Sequence, residues 1–365
     1  MALLSRINCV IRAGTGVTLK IFRMESNQIL SRTVSDLQNT KRPKVLVTFP
    51  HIPEIGIELL KNKCDLIIWD KPVAIPREEL MKKIVGVDGV YCLLTDKIDN
   101  EILEVAGPQL KVVGTMSVGY NHLDLKALKA RNIHVGYTPG ILTNATAELT
   151  IALVLATSRR LFEANAAMLR GEWTAWSPTW MCGPGLKGST VGIVGLGRIG
   201  IKVAECLASF DVKKIIYTSR TEKKEAAAFC GQKVTFNELL HQSDFIVVTT
   251  ALTPETTNLF NEEAFAKMKK TSVFINTSRG EVVDQDALIQ ALKNKTIWAA
   301  GLDVMVPEPI PLDSELLKLS NCVILPHLGS ANIETRTKMA KMTAENILAV
   351  LRGAPEEMPS PLNIE

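Results

Sequence analysis

Apolar and polar residues alternate in blocks along the chain, and these blocks predict strands and helices in turn. Short runs rich in Val and Ile indicate buried strands, whereas apolar residues three or four positions apart indicate helices. In the first half of the chain, a helix follows each of the first four strands. The five strands of this half are predicted at residues 45–49, 65–69, 90–94, 110–117 and 133–137. The alternation predicts a parallel sheet that is covered on both faces.

The second half of the chain resumes this pattern after a long helix and a loop. Residues 140–171 predict one long helix with Asn144 as its N-cap. Residues 171–185 hold three of the five tryptophans and predict an ordered loop. Further strands are predicted from residue 190 and at 214–217, 244–248, 272–275, 298–304 and 322–325, before a last helix at 333–353. The chain therefore contains two α/β units.

Composition narrows the class of protein. A chain of 365 residues suffices for two domains, and 46% hydrophobic with 22% charged residues is typical of a soluble globular protein. No stretch of about 18 uninterrupted apolar residues is present, so we expect no membrane span and no membrane partner. The seven cysteines are scattered and lack the spacing of zinc ligands, so we expect a reducing compartment and no metal site.

The charge is concentrated at the N-terminus. The first 43 residues carry a net charge of +5 and the remaining 322 carry −1, which gives no reason to expect a nucleic-acid partner. The first 24 residues contain no acid, and Arg6 and Arg12 lie off an apolar helical stripe. This start resembles a mitochondrial transit peptide; the alternative is a tail without a role. We expect a cytoplasmic protein, or a mitochondrial one if this extension (1–43) is a working transit peptide.

A glycine-rich motif follows the first strand of the second unit. Residues 195–200 read G-L-G-R-I-G, between an apolar strand and a helix. In a strand–turn–helix of this kind, the first glycine permits the tight turn, the second admits a pyrophosphate, and the third lets the helix pack on the strand. The motif predicts a dinucleotide site with the contact residues Gly195, Gly197, Arg198, Ile199 and Gly200. An unrelated glycine turn is the alternative.

The end of the next strand indicates which dinucleotide is bound. An acidic residue about twenty residues beyond the motif would bind the ribose 2′-hydroxyl of NADH. This chain has Ser219, Arg220 and Thr221 there instead. A hydroxyl and a guanidinium suit a 2′-phosphate, so we expect NADPH, with NADH as the weaker alternative. The other interpretation is that Arg220 is an ordinary solvated surface residue.

Chemically active side chains lie at the ends of three later strands. Arg279 follows the strand at 272–275, Asp303 ends the strand at 298–304 with Glu308 five residues later, and His327 follows the strand at 322–325. Ligands bind at the carboxyl ends of strands in open α/β sheets, so these side chains are expected to share a site. Each of them taken singly could be a surface residue. His51 also follows a strand and is the rival proton donor.

Four stretches, in this order and spacing, resemble the D-isomer-specific 2-hydroxyacid dehydrogenases: VGIVGLGRIG, INTSRGEVVDQDAL, AAGLDVMVPEP and NCVILPHLGS. The resemblance covers about residues 44–363. MSVGYNHLD and GEWTAWSPTWMCG favour the branch that reduces glyoxylate and hydroxypyruvate. The family resemblance implies two doubly wound parallel-sheet domains: a Rossmann cofactor domain (144–327), and a flavodoxin-like substrate domain (44–143 and 328–365). The active site would lie in the cleft between them, and the chain would form a homodimer.

The resemblance also implies roles for the residues of the site. Arg279 would hold and polarise a small 2-oxo acid, His327 would donate the proton to the new hydroxyl, and Glu308 would orient His327. Asp303 would meet the nicotinamide carboxamide, and Thr277 and Gly329 would line the cofactor. Val118 and Gly119 would bind the substrate carboxylate through backbone N–H groups. Trp176 would reach into the substrate pocket of a partner subunit; packing of the loop is its other interpretation.

The implied reaction is the NADPH-dependent reduction of glyoxylate to glycolate and of hydroxypyruvate to D-glycerate. Another member of the family, such as a phosphoglycerate dehydrogenase, would need more cationic groups for a phosphate. A dinucleotide-sensing corepressor is the non-enzymatic alternative. Such a protein can keep Arg279, Glu308 and His327, so only turnover distinguishes it from an enzyme.

Overall fold

Two parallel sheets dominate the computed structural model, which describes residues 42–364. Residues 1–41, which include the start that resembles a transit peptide, lie outside the described residues. The strands are β1 (Lys44–Val47), β2 (Asp65–Ile68), β3 (Gly89–Cys92), β4 (Val112–Thr115), β5 (His134–Gly136), β6 (Thr190–Val194), β7 (Lys214–Thr218), β8 (Gln232–Lys233), β9 (Phe245–Val248), β10 (Val273–Asn276), β11 (Ala299–Leu302) and β12 (Cys322–Ile324). The helices are α1 (Glu54–Lys61), α2 (Arg77–Lys83), α3 (Asn100–Ala106), α4 (Leu125–Ala130), α5 (Thr143–Ser158), α6 (Leu161–Leu169), α7 (Arg198–Ala208), α8 (Phe236–Gln242), α9 (Glu262–Ala266), α10 (Gln285–Lys293) and α11 (Ile333–Leu351).

The smaller sheet contains the first five strands in the order β2-β1-β3-β4-β5, all parallel. This is the doubly wound order of flavodoxin-like folds, in which the chain reverses its direction of growth beside β1. The last helix, α11, returns from the C-terminal part of the chain to pack on α1 and on β3, β4 and β5. Its buried residues include Ala340, Ala344 and Ile347, which join the apolar core on that face of the sheet.

The larger sheet contains the remaining seven strands in the order β12-β11-β10-β9-β6-β7-β8, again all parallel. The order reverses between β6 and β9, as in dinucleotide-binding folds, where ligands lie outside the carboxyl ends of the strands at this point. Separate apolar cores cover its two faces. The α5 helix packs against α7 and against β10, β11 and β12.

Side-chain caps fix where several helices begin. An Asp, Asn or Thr oxygen accepts a hydrogen bond from a backbone N–H in the first turn and satisfies one of its unpaired donors. The α10 helix, for example, begins after Asp284, which accepts from Ala287 N. Caps of this kind precede α3, α4, α8, α9, α10 and α11. The α7 helix, at the glycine-rich motif, begins after Gly197 and has no side-chain cap.

The predicted fold class is confirmed, but two details of the long helix are wrong. The predicted single helix is broken into α5 and α6 at Arg160, whose φ of 54° is left-handed and cannot continue a right-handed helix. Asn144 is not its N-cap, because α5 begins at Thr143 after Leu142. The predicted strands are found within a few residues of their observed limits, and residues 171–185 contain no helix or strand, as the loop prediction requires.

Both sheets belong to one compact unit, Lys44–Glu365. Within it, we propose the division into a substrate domain (44–143 and 328–365) and a cofactor domain (144–327), because α11 packs on the smaller sheet and α5 on the larger one. Among residues 42–364, no helix has the length and apolar character needed to cross a membrane.

Candidate active site

A cleft of about 390 Å³ contains residues that follow strands of both sheets. From the smaller sheet, Ser117 to Asn121 line it after β4, and Tyr137 lines it after β5. From the larger sheet it is lined by Arg198, Ile199, Thr249, Thr250, Thr277, Arg279, Asp303, His327 and Gly329. The cleft therefore combines, in one place, most of the side chains that the sequence placed at separate strand ends.

His327 and Glu308 form a hydrogen-bonded pair at one side of the cleft. His327 Nδ1 lies 2.7 Å from Glu308 Oε2, and both side chains are about three-quarters buried, with 25% and 27% exposed. Burial acts to raise the pKa of Glu308, but the hydrogen bond and charge of His327, helped by Arg279, lower it overall. Glu308 is absent from the cleft lining, so it holds the ring from behind while His327 contacts the cleft.

Backbone groups fix both members of this pair. Met305 N–H donates to Glu308 Oε1 over 3.1 Å, which leaves Oε2 for the imidazole. The side-chain amide of Gln285 donates to the Val306 carbonyl and accepts from the Val306 N–H, which fastens the loop that carries Glu308. His327 has a φ of 53°, and its N–H donates to the Asp303 carbonyl over 2.9 Å. The imidazole is thus held at an unusual backbone turn by partners on two neighbouring strand ends.

Asp303 organises the segment that follows His327. Its Oδ1 accepts from Leu328 N–H over 2.7 Å and its Oδ2 from Gly329 N–H over 2.8 Å. Burial raises the pKa of this carboxyl, while the two N–H donors and the charge of His327 act in the opposite direction. Asp303 lines the cleft as predicted, and it also fixes the backbone at Gly329.

Arg279 crosses from the larger sheet to the loop after β4. Its Nη1 donates to the Ser278 carbonyl over 2.7 Å, and its Nε donates to Asn121 Oδ1 over 3.2 Å. Burial lowers the pKa of Arg279, and the charges of Glu308 and Glu281 oppose this, so the side chain remains a cation at physiological pH. Within residues 42–364, no acceptor takes its Nη2 donors, which remain available to a ligand.

The loop after β4 provides backbone donors beside this guanidinium. Across the described chain, neither Val118 N–H nor Gly119 N–H has an acceptor, and both residues line the cleft. A Cβ atom on Gly119 would lie 2.0 Å from Arg279 Nη2. Only glycine therefore permits the guanidinium to approach the loop this closely, and two backbone donors and a cation meet where a carboxylate could bind.

The glycine-rich motif fits a dinucleotide. Gly195 has a φ of 95°, and Thr249 Oγ1 donates to its carbonyl over 2.7 Å. A Cβ atom on Gly197 would meet nothing within 4 Å, so this side of the turn is open. The uncapped first turn of α7 adds free N–H groups and the positive end of a helix dipole, which together suit phosphates. Arg198 and Ile199 line the cleft directly above this turn.

The end of β7 is more exposed than the rest of the candidate site. Ser219 Oγ donates to the Thr221 carbonyl, and the exposed Arg220 lies close enough to Glu255 to contribute to lowering the pKa of that carboxyl. Lys233 Nζ donates to the Arg220 carbonyl over 3.5 Å and adds a second cation. Neither Ser219 nor Arg220 is part of the cleft lining.

Trp176, His51 and His122 do not line the cleft. Trp176 is 79% exposed and does not line it. His51 is also exposed, contacts the ring of Phe49 edge-on, and is not part of the lining either. His122 is buried beside the loop after β4, and its Nε2 is hydrogen-bonded to Thr115 Oγ1.

Sequence reasoning missed several residues that position the predicted ones. Asn121 orients Arg279, Thr249 fixes the glycine turn, and Gln285 fastens the Glu308 loop. The sequence carried a signal for Asn121 and Gln285, because they lie within the same motifs as Gly119 and Arg279, and none for Thr249. Among the residues that the structure describes, no group of three or more His, Cys, Asp or Glu could hold a metal ion.

Part of the chain matches a known protein family. Residues 151–329 match the family described as D-isomer specific 2-hydroxyacid dehydrogenase, NAD binding domain. This segment includes the glycine-rich motif and every strand-end residue of the larger sheet from Arg279 to His327.

Curated relatives match over nearly their whole length. The chain is 52% identical to the human glyoxylate reductase/hydroxypyruvate reductase over 324 residues, which is 88% of this chain and 98% of the human protein. It is 46% identical to the glyoxylate reductase of Thermofilum pendens over 88% of this chain and 94% of the relative.

Solved structures show the same architecture. The TT0316 protein of Thermus thermophilus has a TM-score of 0.81 and 40% identity, over 88% of this chain and all of that one. An NADPH-dependent glyoxylate/hydroxypyruvate reductase of Sinorhizobium meliloti, solved with NADP and malonate, has a TM-score of 0.76 and 30% identity, over 88% of this chain and 97% of that one. The chain therefore belongs to the D-isomer-specific 2-hydroxyacid dehydrogenases and is an NAD(P)-dependent oxidoreductase that acts on small 2-oxo acids or their 2-hydroxy acid products.

Proposed function

We propose that this enzyme reduces glyoxylate to glycolate and hydroxypyruvate to D-glycerate, with NADPH as its cofactor and His327 as the proton donor. The observation that carries the proposal is the convergence of Arg279, the His327–Glu308 pair and two unpaired N–H groups in one cleft beside the glycine-rich turn. The names of relatives at 52% and 46% identity support the same substrates.

The substrate carboxylate is assigned to the N–H groups of Val118 and Gly119 and to the free Nη2 of Arg279. Arg279 also polarises the ketone, because its fork of donors can serve the carboxylate and carbonyl oxygens together. Asn121 and the Ser278 carbonyl hold this guanidinium, so little reorganisation is needed when the substrate binds. The nicotinamide of bound NADPH supplies the hydride.

His327 is assigned the proton transfer. The carbonyl oxygen gains negative charge as the hydride arrives, and a protonated imidazole donates to it from Nε2. Glu308 holds Nδ1 at 2.7 Å, which fixes the ring's orientation and stabilises the imidazolium. In the reverse direction, neutral His327 accepts the proton of the hydroxyl. Roles assigned to Arg279, Glu308 and His327 thus account for binding, orientation and proton transfer.

Arg220 is the basis for proposing NADPH. The end of β7 has a hydroxyl at Ser219 and a cation at Arg220, with Lys233 alongside, and no acid at residues 218–221. An ionic hydrogen bond of this kind contributes about 1.5–3 kcal/mol. Arg220→Ala is therefore expected to raise the KM for NADPH about tenfold or more and to leave the KM for NADH unchanged. Arg352→Ala, which removes an exposed arginine paired with Glu357, is the matched control.

The test of the reaction is loss of nicotinamide absorbance with glyoxylate, hydroxypyruvate and pyruvate, followed by chiral analysis of the glycerate formed. We expect rapid NADPH consumption with the first two acids and D-glycerate as the product. Turnover with NADH only would overturn the cofactor assignment and keep the chemistry. Binding of either dinucleotide without turnover of any 2-oxo acid would instead favour a dinucleotide sensor.

A second proposal concerns assembly. We propose that the chain forms a homodimer through α6 and the tryptophan loop, and that Trp176 reaches the substrate pocket of the partner subunit. Large apolar side chains are exposed along this stretch: Leu161, Phe162, Met168, Leu169, Trp173, Trp176 and Trp180. A concentration of large exposed apolar side chains of this kind marks interaction sites.

The mass of the protein in solution tests the dimer. Leu169→Asp is expected to yield monomers by light scattering, whereas Trp176→Ala is expected to remain dimeric and to change the preference among 2-oxo acids. A monomeric wild type, or an unchanged substrate profile for Trp176→Ala, would contradict the respective part of the proposal.

A further inference from the structure

Three buried polar side chains form a row that ends at the loop facing the cleft. His122 Nε2 is 2.9 Å from Thr115 Oγ1, which is 2.8 Å from Ser117 Oγ, and Ser117 Oγ is 2.7 Å from the Gly119 carbonyl. All three residues are less than a tenth exposed. The row thus connects a buried histidine to the peptide that carries the proposed carboxylate-binding glycine.

The direction of each hydrogen bond in this row is fixed. The Gly119 carbonyl can only accept, so the single hydroxyl proton of Ser117 is used there. Ser117 must then accept from Thr115, whose only hydroxyl proton is used in that bond. Thr115 must therefore accept from His122 Nε2. This requires the tautomer of His122 that carries its proton on Nε2. The row is a relay of three donors that ends on the loop.

The other nitrogen of His122 makes this arrangement costly. Nδ1 is buried without a hydrogen-bond partner in the part of the chain that the structure describes. An unsatisfied buried polar atom costs about 1–3 kcal/mol, so an apolar side chain would fill this space at lower cost. The imidazole is also held neutral, because burial and then the charge of Arg279 lower the pKa of His122 to about 4. The position therefore needs a neutral donor at Nε2 rather than a proton carrier.

We propose that His122 is a positioning residue for substrate recognition, which acts through Thr115 and Ser117 to fix residues 117–119 so that the Val118 and Gly119 N–H groups stay available to a carboxylate. This inference rests on the proposed function, because it assigns a cause to the binding of the 2-oxo acid. The relay uses neutral groups only, so it adds no charge that would compete with the substrate for Arg279.

The test compares steady-state kinetics of four single variants, and of the double variant His122→Leu/Ser117→Ala, with the wild type. His122→Leu removes the donor, His122→Gln keeps one at the place of Nε2, and Ser117→Ala cuts the relay at its last link. Thr157→Val is the control, since it removes a buried hydroxyl that has no partner in the described chain and does not line the cleft. The KM for glyoxylate, the KM for NADPH and kcat are measured for each.

If the relay positions the loop, the KM for glyoxylate changes and the KM for NADPH does not. His122→Leu and Ser117→Ala each raise the KM for glyoxylate about tenfold, which corresponds to the loss of one or two hydrogen bonds, and change the KM for NADPH less than about twofold. The double variant is no worse than either single one, because both cut the same relay. His122→Gln and Thr157→Val stay close to the wild type. If His122→Leu does not fold, Ser117→Ala carries the test.

Two outcomes overturn the inference, and they are distinguishable. A wild type that turns over no 2-oxo acid overturns the proposed function and the relay together. A wild type that turns over glyoxylate, with an unchanged KM in His122→Leu and Ser117→Ala or with His122→Gln as impaired as His122→Leu, overturns the relay alone.

Discussion

The two walls of the cleft hold their functional groups by different means. On the side of the larger sheet, charged side chains are held by backbone partners: Asp303 by two N–H groups, and Glu308 by the Met305 N–H. On the side of the smaller sheet, the loop at 117–121 exposes backbone donors and is held by neutral hydroxyls.

This difference follows from what each wall must do in the proposed reaction. On the side of the larger sheet, here called the charged wall, charged groups stabilise the oxygen on which negative charge develops. Fixed dipoles make those charges effective. The side of the smaller sheet, here called the neutral wall, must offer N–H groups without an acceptor. The groups that support it therefore cannot carry a negative charge, because such a charge would pair with Arg279. The two walls meet at the contact between Gly119 and the Arg279 guanidinium.

The largest expected effect comes from removing the proton donor of the charged wall. His327→Ala is expected to lower kcat about 10²–10⁴-fold, which is the usual contribution of a general acid, with the dissociation constant for NADPH unchanged. Stopped-flow turnover and fluorescence titration with NADPH measure the two quantities. His51→Ala is the control. Retained turnover in His327→Ala, or its loss in His51→Ala, would refute the assignment.

The contact between the walls is the next most sensitive place. Gly119→Ala places a Cβ atom 2.0 Å from Arg279 Nη2, so the guanidinium or the loop must move. Displacements of about 1 Å can cost 10²-fold in rate, and we expect kcat/KM for glyoxylate to fall by that order. Gly185→Ala, where a Cβ atom meets nothing within 4 Å, is the control. Unchanged kcat/KM would show that the loop does not bind substrate.

A smaller effect is expected from neutralising the support of His327. Glu308→Gln keeps an acceptor for Nδ1 but loses the charge, and hydrogen bonds to charged groups are about twice as strong as neutral ones. We expect kcat to fall about tenfold, with the KM for NADPH unchanged. Glu315→Gln, an exposed residue paired with Lys293, serves as control. A loss as large as that of His327→Ala would mean that Glu308 does more than orient the ring.

The smallest effect on turnover at neutral pH is expected from His122→Gln on the neutral wall, which changes the pH dependence of stability instead. The pKa of His122 is about 4 in the folded state against an ordinary value of 6.5, so the unfolded state takes up the proton first. The titration of His122 leaves the free energy of unfolding at its full value above pH 6.5. This free energy then falls progressively as the pH falls towards 4, by up to about 3 kcal/mol.

Urea unfolding of the wild type and of His122→Gln at a series of pH values measures this loss. The free energy of unfolding of the wild type should fall more steeply between pH 6.5 and 4, because glutamine does not titrate. Parallel curves would contradict a buried neutral imidazole.

The fold and the charged wall could be read from the sequence because local patterns encode them. Short apolar runs predicted the strands. Arg279 and His327 come just after strands, and such residues necessarily lie at one edge of a parallel sheet. The break at Arg160 and the start of α5 were not predicted, because a left-handed residue other than glycine leaves no mark in the hydrophobic pattern. The roles of Asn121 and His122 were not predicted, because Asn121 depends on a partner distant in sequence and His122 on its burial.

A crystal structure of the dead-end complex with NADPH and D-glycerate tests the meeting of the two walls most directly, because product and reduced cofactor cannot react together. We expect the carboxylate of the product on the Val118 and Gly119 N–H groups and Arg279, with its 2-hydroxyl in hydrogen-bond reach of His327 Nε2. A carboxylate bound away from the loop at 117–121, or a hydroxyl out of reach of His327, would contradict it.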